Sequence, residues 1–444
     1  MKRKLQLLPL VTALVLLMSL TGTIALAEER VTITYSYWGT PDESTSTQAI
    51  LDVYNASQDK VFVKLMNIPN EQYTTKLQTM AAANTMPDCG IMNENGVLAF
   101  ANAGLLADVS DMYAGKDSQP LDAVTFKNEG VTPVAYSGCT ETLIMYYNKD
   151  MFDAAGLPYP PAKIEDAWSW DEFVEVAGKL TIDKDGKHPG EDGFDPDNIV
   201  QYGCVVDNWT WQLEVWAHSN GGRWFSPDGK ECLINSPEAM ESIQKVADLT
   251  LVEHVQPLYL GLADEGIVRS VASGTVAMAT GGAWNMGTSM SSSGINFGIG
   301  VLPYMKEKVT IATAGPQVVF AQSKHLAEAK EFIAWYTQEE NSWNLIQTGI
   351  WMPLLEKYYH NEEDIDKWLK DEEFPVKDND MARSVLVDFT NEAAISTCWY
   401  YTPNTNQFIE LLRSVLSPVW VGEQTAEQVI TDNFANLAAS IEDF

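Results

Sequence analysis

Fourteen tryptophans are spread through the 444 residues, and several stand where a flat apolar wall beside polar groups has a chemical use. Trp38 leads into Gly39-Thr40-Pro41, and Trp209 and Trp211 sit in Asp207-Asn208-Trp209-Thr210-Trp211. Trp284 follows Gly281-Gly282, Trp351 lies between Gly349 and Pro353, and Trp399, Tyr400 and Tyr401 precede Thr402-Pro403-Asn404. A sugar-like ring has faces of C–H groups and an edge of hydroxyls. A site for it needs aromatic walls and planar polar side chains that bond two hydroxyls at once. For each of these tryptophans the competing reading is an ordinary core position. Trp168, Trp170, Trp216, Trp335 and Trp343 fall at helical spacing and read as packing residues.

Catalytic signatures are missing. No G-x-S-x-G, H-E-x-x-H or P-loop sequence occurs, and His188, His218, His254, His325 and His360 form no metal-spaced pair. With 61 acidic residues, a carboxylate pair is unavoidable by count and marks no enzyme. The chain reads as a binding protein without a cofactor. Other ligands stay open: the adjacent tyrosines Tyr146-Tyr147 and Tyr400-Tyr401 resemble paired phenolates that grip ferric iron, and the acidic character suits a polyamine or a peptide. The stretch from Asp183 to Asn198 is acidic enough for calcium but lacks the EF-hand order of ligands, and reads as a solvated loop. Of Cys89, Cys139, Cys204, Cys232 and Cys398, only Cys204 and Cys232 qualify as a disulfide pair. The other reading is five buried free thiols.

The elements that must position these residues alternate along the chain. Val31, Ile33, Tyr35 and Tyr37 alternate with polar residues as a strand, 42–57 follows with helical spacing, and Val61, Val63 and Leu65 make a second strand. A helix face at Tyr73, Leu77, Met80 and Ala81 and a short strand over 88–92 complete a βαβαβ pattern, which implies a parallel sheet covered by helices. Ser169 to Glu172 and Thr425 to Gln428 match a capping box, and Ser236-Pro237 a cap followed by proline, so helices are expected at 170–179, 237–250 and 426–441, besides 325–338 and 405–417. Gly281 and Gly282 are expected to allow a sharp exit from a strand over 276–280 that delivers Trp284 to the rim of a site.

At the amino end, Lys2, Arg3 and Lys4 precede an apolar run over 5–20 and Ala25-Leu26-Ala27, the pattern of a secretory signal peptide over residues 1–27. The run is shorter than the ~20 residues that span a bilayer. No cysteine stands at the cleavage point to carry a lipid. The expectation is an exported chain, periplasmic or at the cell surface, beginning near Glu28. Losing three basic residues takes the formal charge from −33 to −36, a field that repels nucleic acid and anionic lipid and favours a neutral or cationic ligand.

Tyr147-Asn148-Lys149-Asp150-Met151-Phe152, then Ala155-Gly156-Leu157-Pro158 and Trp170-Asp171-Glu172-Phe173, form a recognisable series. It continues with Asn220-Gly221-Gly222, Gly282-Ala283-Trp284, Val301-Leu302-Pro303 and Ala329-Lys330-Glu331-Phe332-Ile333. In this order the chain resembles the family 1 extracellular solute-binding proteins, the maltose-binding-protein-like sugar binders of ABC importers. The resemblance implies an α/β, two-lobed, type II periplasmic-binding-protein fold with the ligand cleft between lobes joined by crossing strands, here at 140–143, 301–304 and 349–353. Lobe one would hold residues 28–140 and 304–350, and lobe two 141–303 and 351–444. It further implies a monomer that takes a carbohydrate to membrane permease subunits. The ligand-binding set it implies is Trp38, Asn93, Glu94, Glu141, Trp209, Trp211, Trp284, Trp351 and Tyr400, with Trp284 at the family's stacking position. Met92, Leu412 and Leu416 stand where the family has an aromatic, a tryptophan and an arginine, which points away from maltose to a different glycan.

Overall fold

The computed structural model describes residues 30–441 apart from 40, 115–117, 127–132, 259–267 and 269. The expected signal peptide lies outside the described residues. Strand β1 (Val31–Tyr37) buries Ile33, Tyr35 and Tyr37, as its alternation requires. It pairs in parallel with β2 (Val61–Asn67), Val31 opposite Val61, and with β3 (Cys89–Ile91). The helices Pro41–Ser57 and Tyr73–Ala82 make the crossovers that parallel pairing demands. Two strands from later in the chain, β4 (Tyr136–Ser137) and β11 (Pro316–Val319), join antiparallel to complete the sheet order β2-β1-β3-β11-β4.

A second sheet is built around β5 (Glu141–Asn148), all eight residues of which are buried. Burial of both faces explains why this strand reads as a continuous apolar run and not an alternation. Residues 143–147 pair antiparallel with β8 (Val276–Gly282), and residues 145–148 with β9 (Phe297–Gly300). Its first two residues pair with β10 (Thr310–Thr313), which is parallel to β12 (Ala394–Ser396). Beyond β8 lie β7 (Ile199–Val205) and, at the edge, β6 (Ile182–Asp183).

The chain passes between the sheets at 138–140, at 314–315 and at 349–353, and these passages are hydrogen-bonded to one another. The Gly138 amide donates to the Gly315 carbonyl at 2.9 Å, and Thr140 and Met352 exchange amide bonds at 3.1 and 3.2 Å. The expected second crossing at 301–304 comes just after β9, where Tyr304 instead exchanges bonds with Trp168 and Trp170. The chain first adds β10 to the head of β5 and changes sheet only after Thr313.

Local signals act as read. Ser169 Oγ accepts from the Glu172 amide at 3.3 Å while Glu172 Oε2 accepts from the Ser169 amide at 2.8 Å, and Thr425 and Gln428 repeat the exchange. Ser236 Oγ caps the Pro237–Leu251 helix through the Ala239 amide. All five cysteines are free and buried. The considered Cys204 to Cys232 bond is not formed: Cys204 lies inside β7, and Cys232 bridges to Phe225 in a separate turn.

Candidate functional site

The carboxyl ends of β1, β3, β7 and β8 converge on one cavity of about 740 Å3 that the sheet passages also border. Strand ends are where an α/β sheet frees side chains for a ligand, and the volume is within the ~300–1,000 Å3 of small-molecule sites. Trp38 leaves β1, Asn93 and Glu94 open the Glu94–Asn102 helix after β3, and Trp209 and Trp211 follow β7. Because β5 runs antiparallel to β8, its first residue, Glu141, lies at the same end as Trp284.

The aromatic wall is a connected set. Trp211 touches Trp399, Trp209 and Trp284 with ring centroids 4.9, 5.5 and 6.4 Å apart. Trp38, which also lines the cavity, stacks on Tyr37 at 6.3 Å. Trp211, Trp351 and Trp399 are at most 7% exposed and form the backing, whereas Trp38, Trp209 and Trp284 are only partly buried and offer faces. The glycines before Trp284 act differently from the expectation. Gly282 continues the strand with φ −72°, so no unusual turn needs it. A Cβ on Gly282 would sit 2.0 Å from Cη2 of Trp284, so the missing side chain is what lets the indole lie over the strand.

Among the polar groups, Glu94 Oε1 accepts from the Ala314 amide at 2.7 Å. Burial pushes its carboxyl up to about 8, against the Ala314 amide and the neighbouring Tyr400 hydroxyl, which favour the charged form. Glu141 Oε1 accepts from the Met352 amide at 3.2 Å. Burial lifts it well above the usual carboxylate range and the nearby Glu43 and Glu94 charges add to this, while the Met352 and Trp284 amides oppose it. Asn93 Nδ2 donates to Asn70 Oδ1, and Asn95 Nδ2 to Asn406 Oδ1, each at 2.9 Å. Six buried atoms lining the cavity make no hydrogen bond of acceptable geometry among the described residues: the donors Trp38 Nε1 and Trp399 Nε1, the acceptors Asn93 Oδ1, Asn95 Oδ1 and Glu141 Oε2, and the hydroxyl of Thr74. Buried polar groups without partners are costly, so a concentration of both kinds in one cavity marks where a hydroxylated molecule would be bonded.

Of the residues singled out from the sequence, Trp38, Asn93, Glu94, Glu141, Trp209, Trp211, Trp284 and Trp351 line this cavity. Tyr400 does not. It is fully buried, its ring 4.7 Å from Phe126, and stands behind Glu94. Side chains of a 3-10 turn point about a third of a circle apart, so in Cys398–Tyr400 the cavity is faced by Trp399 instead. Met92, Leu412 and Leu416 are core residues. The Thr405–Trp420 helix presents Asn406, Ile409, Glu410 and Arg413 to the cavity, a face of helical period that sequence analysis missed. Tyr37, Glu43 and Thr74 were missed as well.

Other sequence features are placed elsewhere. Tyr146 donates to the Gly282 carbonyl and Tyr147 packs on Phe152 and Tyr159, away from the cavity. Asp183 accepts from the amides of Asp185, Lys187 and Asp195, and Asp195 pairs with Lys184 at 2.6 Å, so the acidic loop uses these carboxylates to hold itself. Among the described residues no cluster of His, Cys, Asp and Glu is arranged for a metal, and no helix is long and apolar enough to cross a membrane.

Residues 38–343 match the sequence profile of the bacterial extracellular solute-binding proteins. The chain belongs to that family. The sn-glycerol-3-phosphate-binding periplasmic protein UgpB of Escherichia coli K12 is 22% identical over 372 residues, 81% of this chain and 76% of its own length. Two solved structures are similar throughout. The ABC substrate-binding protein Lmo0181 from Listeria monocytogenes, in complex with cycloalternan, aligns with TM-score 0.76 and 21% identity over 94% of this chain and 100% of that one. An ABC transporter solute-binding protein from Thermotoga lettingae TMO, bound with α-D-tagatose, gives 0.75 and 19% over 93% and 100%. The fold is the two-lobed α/β fold of this solute-binding family.

Proposed function

We propose that the protein is the extracytoplasmic binding component of an ABC importer, which captures a sugar or oligosaccharide in this cavity and delivers it to membrane permease subunits. The concentration of indole faces and unpaired donors and acceptors at the strand ends carries the reading. Saccharides bound to the two similar structures support it. A phosphate ester is disfavoured: Glu43, Glu94, Glu141 and Glu410 line the cavity against Arg413. The residues after the signal peptide up to the first passage, with the stretch between the second and third, make one lobe, and the remainder the other. The cavity lies where they meet.

Two outcomes test this function. Only a closed form contacts both faces of a sugar, so ligand shifts the lobes toward closure. Small-angle scattering with saturating sugar is expected to give a smaller radius of gyration, and an unchanged radius argues against hinged capture. The chain acts as a monomer that binds without chemical change. Chromatography after long incubation is expected to return the sugar intact, whereas accumulation of shorter products would make it an enzyme.

A further inference from the structure

We infer that the ligand of this cavity carries a protonated amine, so that the site takes a basic saccharide, an amino sugar or an amine-bearing oligosaccharide, in preference to a neutral glycan. This rests on the reading of the cavity as a saccharide site and narrows it to one chemical class.

The inference starts from Glu141. Its residue is 6% exposed and lines the cavity; Oε1 accepts from the Met352 amide, the Trp284 amide also favours the carboxylate, and Oε2 makes no hydrogen bond of acceptable geometry among the described residues. A second carboxylate, Glu94, is buried to the same degree and lines the same cavity. Neither enters an ion pair among the described residues, and Arg413, exposed and next to Glu410 on the far helix, is the only described cation lining the cavity. A carboxylate withdrawn from water is stabilised by a positive partner or holds its proton. Among the described residues no cation is paired with Glu141.

An ammonium group answers that arrangement better than a hydroxyl. It brings three donors and a charge, and the unpaired atoms of the same cavity include two further acceptors, Asn93 Oδ1 and Asn95 Oδ1. Charge-assisted bonds to carboxylate are about twice as strong as neutral ones. The partly exposed indole faces of Trp38, Trp209 and Trp284 attract cations as well as C–H surfaces. A mature chain with formal charge −36 draws a cation toward the cavity. The competing arrangement, in which Glu94 and Glu141 keep their protons and bond a neutral sugar, predicts no advantage for the amine.

Calorimetry on the mature chain separates the two with matched ligands: glucosamine against glucose, galactosamine against galactose, and the glucosamine disaccharide against cellobiose and the N-acetylated disaccharide. In any pair that binds, the amine is expected to bind about 10-fold tighter or more at neutral pH. N-acetylation, which removes the charge and keeps the nitrogen, is expected to abolish the advantage on the unaltered protein. Glu141→Gln is expected to abolish it too, read beside the apo melting curve of the variant. Neutral members that bind as tightly as their amines, or tighter, overturn the inference and leave the saccharide reading standing. If no saccharide of either kind binds, the saccharide reading itself falls and the inference with it, and spermidine binding alone then identifies a polyamine site.

Discussion

Replacing Trp284 by alanine is expected to weaken ligand binding by about 2–4 kcal/mol, roughly 30- to 1,000-fold, as for a central aromatic at a binding surface. The indole lies over Gly282 and tilts 30° to Trp211, so its position is set on two sides while one face remains partly exposed. Truncation removes that face and leaves β8 and its pairing with β5 in place. Gly282→Ala makes a second test, because it retains the indole but places a methyl where the ring now lies. Affinity is expected to fall in both variants, and the Gly282→Ala strand keeps its extended backbone because φ is −72°. If Trp284 serves only as packing, Trp284→Ala will lower the apo melting temperature and leave affinity nearly unchanged. Calorimetry beside apo melting curves reads both quantities, and a destabilised variant of full affinity would remove Trp284 from the site.

The parts of this molecule legible in its sequence are those where one local rule decides. The alternation of Val31 to Tyr37 has a single burial solution, and the reciprocal caps at Ser169 and Thr425 satisfy orphan amides within four residues. Tryptophans beside Gly or Pro at strand ends are legible for the same reason, since the strand fixes where its last side chain emerges. What local rules miss depends on distant chain. Glu43 and Thr74 read as ordinary helix residues until the parallel pairing of β1, β2 and β3 brings their helices beside the strand ends. Tyr400 and Trp399 are equivalent in composition, and only the packing of their turn against the Glu94–Asn102 helix decides which faces the cavity. The passage at 314–315 was misplaced for a comparable reason: β10 is too short to announce itself, and its place is set by the first two residues of β5.

The ligand-free protein is expected to be most stable near pH 5 and to lose stability as the pH rises toward 8. A carboxyl whose folded pKa is raised binds more protons in the native state than in the unfolded chain over the window between its two pKa values. Stability therefore falls with rising pH across that window. For Glu94 the window runs from the ordinary 4.5 to about 8, and Glu141 acts in the same direction. Each unit of such a shift corresponds to about 1.4 kcal/mol, so the combined effect is large compared with most single substitutions. Exposed carboxylates held low by hydrogen bonds, Asp195 to Lys184 and Glu362 to Arg383, act the opposite way and lose their contribution only as the pH falls through the acid range. Together these place the maximum between the two regimes. Melting temperatures of the apo protein from pH 4 to 9 test the sign, and Glu94→Gln is expected to flatten the alkaline limb by removing the titrating group while keeping an acceptor for the Ala314 amide. A basic saccharide stabilises the charged carboxylates, so its binding near pH 7 is expected to release protons, seen as a dependence of the apparent binding enthalpy on the ionisation enthalpy of the buffer. A wild-type melting temperature that is level or rising from pH 5 to 8 would show that Glu94 and Glu141 are charged in the empty cavity and that burial does not govern them.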